Sequence, residues 1–362
     1  MKNKAIVLSV LYIFMVMLLC VSCEKVEDDI LTNEESKYYT VDSSGNSVGD
    51  SYVSFIPDHI EEEFLVRDVQ IILDADVDFE GYDELSKVYL VPSQECAEHI
   101  CSDQVKNNSE DVDKADSDYG FIWQGKNGQG VTIIVMHYDL DGRISYSDIT
   151  RDINGSTEDD HSFEYGYITE DIPYGMEKKA TVVEKEVVDY FERFTPFEYI
   201  AYNICVVNNS DLNIGYYDIS LQAYYNGVPI INKNVGENQL YSSIQLNAKV
   251  SSEGMFSFQG YVCFDVKSIE KVEKTDTFEN LVNYFINDTP TITTGSEIKV
   301  TRIYLSYLAE NKYNSNQYTE TELIPVICFN YTDSRVENGE EIVAELTAAY
   351  SIESGRLFGI YY

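Results

Sequence analysis

The sequence predicts an α+β fold in which antiparallel sheets are covered by one or two helices and preceded by a smaller, mostly β region. Three observations support this prediction. Short apolar runs with strand-like alternation recur along the chain, and turn-forming residues separate them. Two other segments carry apolar residues at helical spacing. Tyrosine is abundant, with 30 residues, and it suits strands because one ring face packs while the hydroxyl reaches water.

The mostly β region is predicted over residues 51–165. A polar, acidic stretch at 102–119 reads as a surface loop within it. The strand-like runs on either side of this loop are Val69–Leu73, Lys87–Val91, Phe121–Trp123 and Val131–Tyr138.

The pattern changes at about residue 166, where an α+β domain is predicted to begin and to run to 362. A first helix is indicated by apolar residues that share one helical face and is ended by Pro196; these residues are Val183, Val187, Tyr190, Phe191 and Phe194. A second helix is expected to start at a capping box formed by Asp276 and Glu279 and to end at Pro290.

The same domain carries a strong hairpin signal at Asn226-Gly227, a dipeptide typical of two-residue turns. The strands predicted beside this turn are Tyr216–Tyr225 and Val228–Ile231. After them, Ile244 to Val250 alternates and Met255–Val266 follows a turn. A final meander is predicted over Ile298–Leu308, Leu323–Tyr331, Ala344–Ile352 and Leu357–Tyr361, with residues 309–320 as one of its loops.

Residues of this second domain resemble a known family. The motifs on which the resemblance rests are Tyr225-Asn226-Gly227-Val228-Pro229-Ile230, Ser257-Phe258-Gln259-Gly260, Ile303-Tyr304-Leu305-Ser306-Tyr307, Leu323-Ile324-Pro325-Val326 with Phe329, and Tyr350 through Gly355. Their order over about 210–362 is similar to the extracytoplasmic module of the YycI and YycH regulators of a bacterial cell-envelope sensor kinase. Uncharacterised clostridial lipoproteins share this module, and its last hairpin resembles the PepSY domain. The resemblance implies an extracytoplasmic regulatory role through a protein partner. The sequence departs from the family at Ile327-Cys328, where an aromatic residue is expected, and at Ser351-Ile352, where Asn-Ala is expected.

The first residues predict export and a lipid anchor. Lys2 and Lys4 precede an apolar run from Ala5 to Val21, as in a secretory signal. The run ends in Cys20-Val21-Ser22-Cys23, which resembles a bacterial lipoprotein signal with Cys20 in the usual leucine position. Cys23 is therefore predicted to carry the diacylglycerol and palmitate anchor. An uncleaved membrane anchor is the alternative, and both interpretations place the remaining chain outside the cytoplasm at the cell membrane.

The predicted organisation follows from these signals. Residues 1–22 are a signal peptide, and 23–50 are the lipidated Cys23 with a flexible, acidic tether. The mostly β region of 51–165 and the α+β domain of 166–362 follow.

The charge of the chain excludes one class of partner. With 63 acidic and 25 basic residues, the formal net charge is −38. Nucleic acid is excluded because its binding requires a basic face that displaces counterions. Surface solvation explains the acidity most simply, and a cationic partner or divalent cations stay open as alternatives.

The cysteines after Cys23 are odd in number, so they do not all pair within one chain. Cys205, Cys263 and Cys328 lie inside apolar strand-like runs and are predicted to be buried thiols. Cys96 and Cys101 flank His99, and two thiols with an imidazole could bind zinc. Because the sequence has no second ligand cluster at a matching distance, a local disulfide or two free thiols is favoured.

One segment imitates a calcium-binding loop. Counted from Gly142, the residues Asp139, Asp141 and Asp148 fall at ligand positions. A β run precedes them in place of a helix, and Asp141-Gly142 is typical of a hairpin turn. The hairpin interpretation is favoured, and the three aspartates stay weak candidates for a metal site.

No motif for catalysis or for cofactor binding stands out. The serine hydrolase, zinc protease and phosphate-loop signatures are missing, and the four histidines are scattered. We therefore expect a non-enzymatic lipoprotein without a cofactor that binds a protein or peptide, as in cell-envelope sensing or regulation. Two alternatives remain open, namely a lipid-anchored hydrolase acting on wall or glycan and a calcium-dependent adhesion module.

Overall fold

The computed structural model describes fifteen stretches of the chain. They are residues 56–79, 85–103, 113–117, 120–126, 132–138, 142–148, 163–167, 172–209, 214–231, 244–272, 275–292, 295, 297–314, 317–337 and 340–361. All of them belong to one compact unit that comprises residues 41–362. The predicted signal peptide, Cys23 and the predicted tether lie outside the described residues.

Strands dominate the described part, where 67% of the residues are in strands. The strands are β1 (His59–Val66), β2 (Val69–Asp78), β3 (Ser86–Pro92), β4 (Asp113–Ser117), β5 (Gly120–Lys126), β6 (Thr132–Tyr138), β7 (Arg143–Asp148), β8 (Phe163–Tyr167), β9 (Glu198–Asn209), β10 (Ile214–Tyr225), β11 (Val228–Ile231), β12 (Gln245–Ser251), β13 (Gly254–Tyr261), β14 (Phe264–Lys271), β15 (Glu297–Asn314), β16 (Gln317–Glu337), β17 (Glu340–Ser351) and β18 (Leu357–Tyr361). The helices of the described residues are α1 (Gln94–Cys101), α2 (Ala180–Phe191) and α3 (Phe278–Ile292).

One group of strands, called here the nine-strand sheet, is antiparallel throughout. Its order is β4-β5-β6-β7-β13-β12-β10-β9-β8. Helix α2 packs on its inner face, where Phe191 meets Phe258 of β13 edge to face at 5.1 Å between ring centroids. Phe258 also stacks on Tyr146 of β7 at 5.2 Å. Aromatic pairs of this geometry fill the layer between helix and sheet.

The second group, called here the hairpin sheet, is built on the long hairpin of β15 and β16. Strand β16 continues through β17 to β18, while β2 followed by β1 pairs along the other side of β15. Strand β3 joins β16 and carries β14 on its far side. Strand β11 pairs with both β10 and β15 and so links the two sheets. Helix α3 covers the inner face, and Phe285 stacks on Phe329 at 4.5 Å.

The predicted turn at Asn226-Gly227 is confirmed. Both residues have positive φ, at 49° and 76°, as a type I′ turn requires. Tyr225 pairs with Val228 across the turn, which joins β10 to β11.

Helix α3 differs from the prediction at both ends. The Thr277 hydroxyl caps the helix by accepting from the Asn280 amide at 3.1 Å. Asp276 instead accepts from the Tyr284 hydroxyl at 2.8 Å and so ties the preceding turn to the helix. The helix runs on to Ile292, two residues past Pro290.

The α+β prediction is correct only in its coarse form. The fold is more β-rich than predicted and its sheet is mixed, because β2 and β11 each pair with β15 in parallel. Parallel pairing joins distant segments, so periodicity along the chain gives no signal for it. Two predicted loops contain strands: β4 lies within 102–119, and β15 and β16 cross most of 309–320.

Strand pairing also crosses residue 165, where the sequence places a domain boundary. Strands β2, β3 and β7 come before it and pair with β15, β14 and β13, which come after it. The two predicted regions therefore share hydrogen-bonded ladders. That boundary stays a prediction, to be tested by expressing 166–362 alone.

Candidate functional site

Two of the three candidate metal ligands named by the sequence, Asp139 and Asp141, fall outside the described residues. The third, Asp148, ends β7 with 1% of its surface exposed. The segments around them form the antiparallel hairpin of β6 and β7, in which Tyr138 pairs with Arg143 and Gly142 has φ 69°. Among the described residues, no group of three or more His, Cys, Asp or Glu side chains is placed to hold a metal ion.

The cysteines with described side chains are free thiols. Cys96, Cys263 and Cys328 are buried, and Cys205 is half-buried beside Asn203. Burial raises the pKa of the Cys328 thiol to about 12, so this residue is protonated at neutral pH and is a poor nucleophile.

The two histidines with described side chains lie in unrelated places. His59 contacts Asp76 at 3.1 Å on the exposed side of β1. The His99 ring lies 6.2 Å from that of Phe194. Neither contact is with a serine or a cysteine, so neither pair has the arrangement of a nucleophile and its base.

A groove of about 340 Å³ opens where the segment before α2 meets the turn between β12 and β13. One wall is formed by residues 175–178, and the opposite wall is formed by Ser251, Ser252 and Gly254. Val183 of α2 and Val250 of β12 provide a buried, apolar floor. The volume lies at the lower end of the range of small-ligand sites, roughly 300–1,000 Å³.

Hydrogen bonds fix the first wall of the groove to the nine-strand sheet. The Tyr217 hydroxyl donates to the Lys178 carbonyl at 3.1 Å, and the Tyr174 amide donates to Asn208 Oδ1 at 2.8 Å. Gly215 lies against this segment, where a Cβ atom would come within 2.7 Å of the Tyr174 nitrogen. Only glycine fits there, because a larger residue would displace the wall.

The opposite wall is a tight turn. Gly254 has φ 106°, a conformation that side-chain-bearing residues rarely adopt. The Ser251 hydroxyl accepts from the Glu253 amide at 3.3 Å and donates to the Gly254 carbonyl at 3.4 Å. The Ser251 side chain thereby stabilises the turn.

The rim of the groove is acidic and partly apolar. Glu177 and Glu186 line it, and Lys178 donates to both carboxylate oxygens of Glu186 at 2.8 Å. Two carboxylates and one ammonium leave a negative balance. Exposed apolar side chains lie nearby, at Tyr174 beside the first wall and at Val182 one helical turn before Glu186. The arrangement suits an apolar group next to a cationic one.

None of these groove residues is a candidate from the sequence. They come from a loop, a helix face and a turn that are up to about 80 positions apart, and their types are common surface residues. The alternation of β12 and the helical stripe of α2 were visible in the sequence, but their meeting point was not.

Comparison with known proteins gives a fold relationship and no function. No family model matches the chain, and no curated protein matches it. A similar solved structure is the crystal structure of an uncharacterized protein from Eubacterium rectale ATCC 33656, with a TM-score of 0.53 and 12% sequence identity. The match covers 85% of this chain and 95% of that chain. At this identity the likeness shows the fold alone.

The described helices contain no apolar segment of the length needed to cross a membrane. The resemblance to the YycI and YycH regulators stays a prediction.

Proposed function

We propose that this chain is a non-enzymatic bacterial lipoprotein, anchored through Cys23 on the outer side of the cell membrane, that binds a peptide segment of a protein partner in the groove. The anchor rests on the apolar run that ends in Cys20-Val21-Ser22-Cys23. Binding rests on one observation, the fixed groove with an apolar floor and an acidic rim.

The chemistry of the groove selects the kind of segment. The exposed Tyr174 and Val182 beside the groove would contact an apolar side chain, and Glu177 would attract a lysine or arginine next to it. The net charge of −38 adds a long-range attraction for cationic partners and increases their association rate. The segment is thus proposed to be apolar and basic, and a regulatory partner in the cell envelope would present it.

A hydrolase would need two carboxylates converging in a cleft, one of them desolvated so that it acts as an acid. Glu186 is instead half exposed and paired with Lys178, with side-chain exposures of 50% and 56%. A solvated ion pair of this kind does not provide a desolvated acid. Binding without catalysis is the better fit to the groove.

The anchor is tested by replacing Cys23 with Ala. Incorporation of a fatty-acid probe should disappear, and the protein should be released or remain as an unprocessed precursor. Labelling that persists in Cys23→Ala would disprove the anchor.

The groove is tested by selecting peptides from a random displayed library on the full chain. Selected peptides should be enriched in basic residues next to apolar ones, and Glu177→Lys should weaken their binding at least tenfold. Glu341→Lys, which makes the same charge change at an exposed site on β17, is the matched control and should have little effect. An equal loss of peptide binding in both variants would mean that overall charge explains the effect. No loss of binding in either variant would rule out the groove as the binding site.

A further inference from the structure

The registers of five neighbouring strands align one polar side chain from each strand. Ser220 of β10 lies between Asn203 of β9 and Asn247 of β12. Asn247 in turn pairs with Gln259 of β13, and Gln259 pairs with Ser145 of β7. We call these five residues the amide row. With strands about 4.8 Å apart, the row is roughly 19 Å long.

The row lies on the outer face of the nine-strand sheet. Burial alternates along β7, β10 and β12, so that the residues on either side of Ser145, Ser220 and Asn247 are buried on the inner face of the sheet. Leu246 and Ala248, for example, are fully buried on both sides of Asn247. The row members are half-buried, apart from the exposed Gln259.

Among the described residues, the hydrogen-bonding capacity of the row is mostly unused. Each amide side chain offers two donors and one acceptor oxygen, and each hydroxyl offers both functions. Asn203 contacts the Cys205 sulfur at 3.5 Å. Within the described part of the chain, the side chains of Asn247 and Gln259 have no protein hydrogen-bond partner. Water or a ligand can therefore supply hydrogen-bond partners for these groups.

The row contains no charged residue, although 24% of the chain is charged. The adjacent row contributes Asp218 and Lys249, which pair directly across β10 and β12 and balance each other. The outer face of the hairpin sheet provides an internal contrast, because Lys299 contacts Asp74 at 3.3 Å and Arg302 contacts Asp78 at 3.1 Å there. A solvated strand face in this protein can thus be strongly charged, and the amide row is not.

Tyrosines stand near both ends of the row. Tyr202 is 59% exposed at the β-bulge next to Asn203, where the extra residue changes the direction of a side chain. Tyr261 follows Gln259 by two positions on the same face, and the Arg143 guanidinium lies 5.7 Å from its ring. Aromatic faces pack on apolar ligand surfaces while their hydroxyls stay in water.

We propose that the amide row binds an extended, uncharged oligosaccharide along its length. Sugar hydroxyls both donate and accept hydrogen bonds, which matches the amides and hydroxyls of the row. An uncharged chain meets no repulsion from the acidic protein, and the apolar faces of sugar rings fit Tyr202 and Tyr261. A row that crosses five strands of one sheet face favours an extended glycan chain. This site is separate from the groove and does not depend on the proposed peptide partner.

The test uses the full chain and soluble, linear oligosaccharides of glucose or xylose with β linkages, with binding measured by calorimetry. We expect binding that weakens at least tenfold in Gln259→Ala and is lost in the double variant Asn247→Ala/Gln259→Ala. Lys299→Ala on the outer face of the hairpin sheet and Glu177→Lys in the groove should bind as the unaltered protein does. Because Gln259 is exposed, Gln259→Ala alone is expected to fold normally and keeps the test valid if the double variant is unstable.

Three results would overturn the proposal. These are no binding of any uncharged oligosaccharide, binding unchanged in Gln259→Ala, and binding restricted to charged polysaccharides such as polygalacturonate or chitosan. Loss of peptide binding in Glu177→Lys with oligosaccharide binding retained would support both sites separately. Failure of the peptide selection alone would leave the oligosaccharide result unaffected.

Discussion

The outer faces of the two sheets meet water by different means. On the hairpin sheet, Lys299 and Arg302 of β15 form ion pairs with Asp74 and Asp78 of β2, and His59 of β1 also contacts Asp74. On the nine-strand sheet, the corresponding positions are filled by the uncharged amide row. Both faces are polar, as expected for sheets with one solvated side. The difference shows that charged side chains are distributed unevenly between the two faces, and that the amide row presents uncharged hydrogen-bonding groups.

The largest expected effect tests whether the two sheets differ only on their outer faces. Phe285 of α3 lies against the inner face of the hairpin sheet and is 0% exposed. Phe258 of β13 lies on the inner face of the nine-strand sheet and is 2% exposed. Replacing either with Ala should lower the free energy of unfolding by about 3–5 kcal/mol, because each change leaves a cavity between helix and sheet. Urea unfolding followed by circular dichroism measures both values.

A loss below about 1 kcal/mol in one variant would mean that the inner layer of that sheet is not packed as described. Val343→Ala, at an exposed position on β17, is a control that should have little effect.

A change of intermediate size in the free energy of unfolding distinguishes the ion pairs of the hairpin sheet from the uncharged amide row of the nine-strand sheet. Lys299→Ala removes the contact with Asp74, in which both side chains are nearly half exposed. The free energy of unfolding should fall by about 0.2–1 kcal/mol in dilute buffer. The loss should shrink in 1 M NaCl, where the Debye length is about 3 Å.

Gln259→Ala on the nine-strand sheet is the matched comparison, and its effect on stability should be independent of salt. The contrast between the two faces would fail if both variants showed the same salt dependence.

The smallest effect concerns the one charged pair beside the amide row. Burial raises the pKa of the Asp218 carboxyl above its ordinary value, and Lys249 opposes this only in part. The folded state therefore holds this proton more tightly than the unfolded state does. The resulting stabilisation is present below the unfolded pKa and is lost as pH rises through the folded pKa.

Asp218→Asn should consequently be more stable than the unaltered protein at neutral pH, and this gain should vanish below about pH 3.9, the ordinary pKa of aspartate. Urea unfolding at a series of pH values checks the sign. A variant that is less stable at neutral pH would show that the pair with Lys249 outweighs the burial of the carboxylate.

The sequence predicted those features that depend on near neighbours along the chain. The Asn226-Gly227 turn and the stripes of α2 and α3 are local, so their residues specify them directly. Helix α1 was missed because it is short, with 8 residues, and its cap at Ser93 lies between strand-like and polar segments.

Features that depend on which strands are neighbours could not be predicted from the sequence. Alternation in Gln245-Leu246-Asn247-Ala248 shows which side chains share a face, but it does not tell which strand lies beside them. The amide row exists only because the registers of β7, β9, β10, β12 and β13 coincide. The groove likewise depends on where a turn meets a helix.

The parallel pairing of β2 with β15 has a consequence for how the chain folds. It joins Gln70 to Glu297 and Leu73 to Val300, segments separated by more than half of the sequence. Contacts of such long range form slowly, since the intervening chain must be ordered before they contribute. During synthesis, Ile71 and Leu73 emerge long before their partners, and their apolar side chains stay exposed to other chains in that interval. We expect refolding yield to fall as protein concentration rises, with aggregation starting from the β1–β2 hairpin.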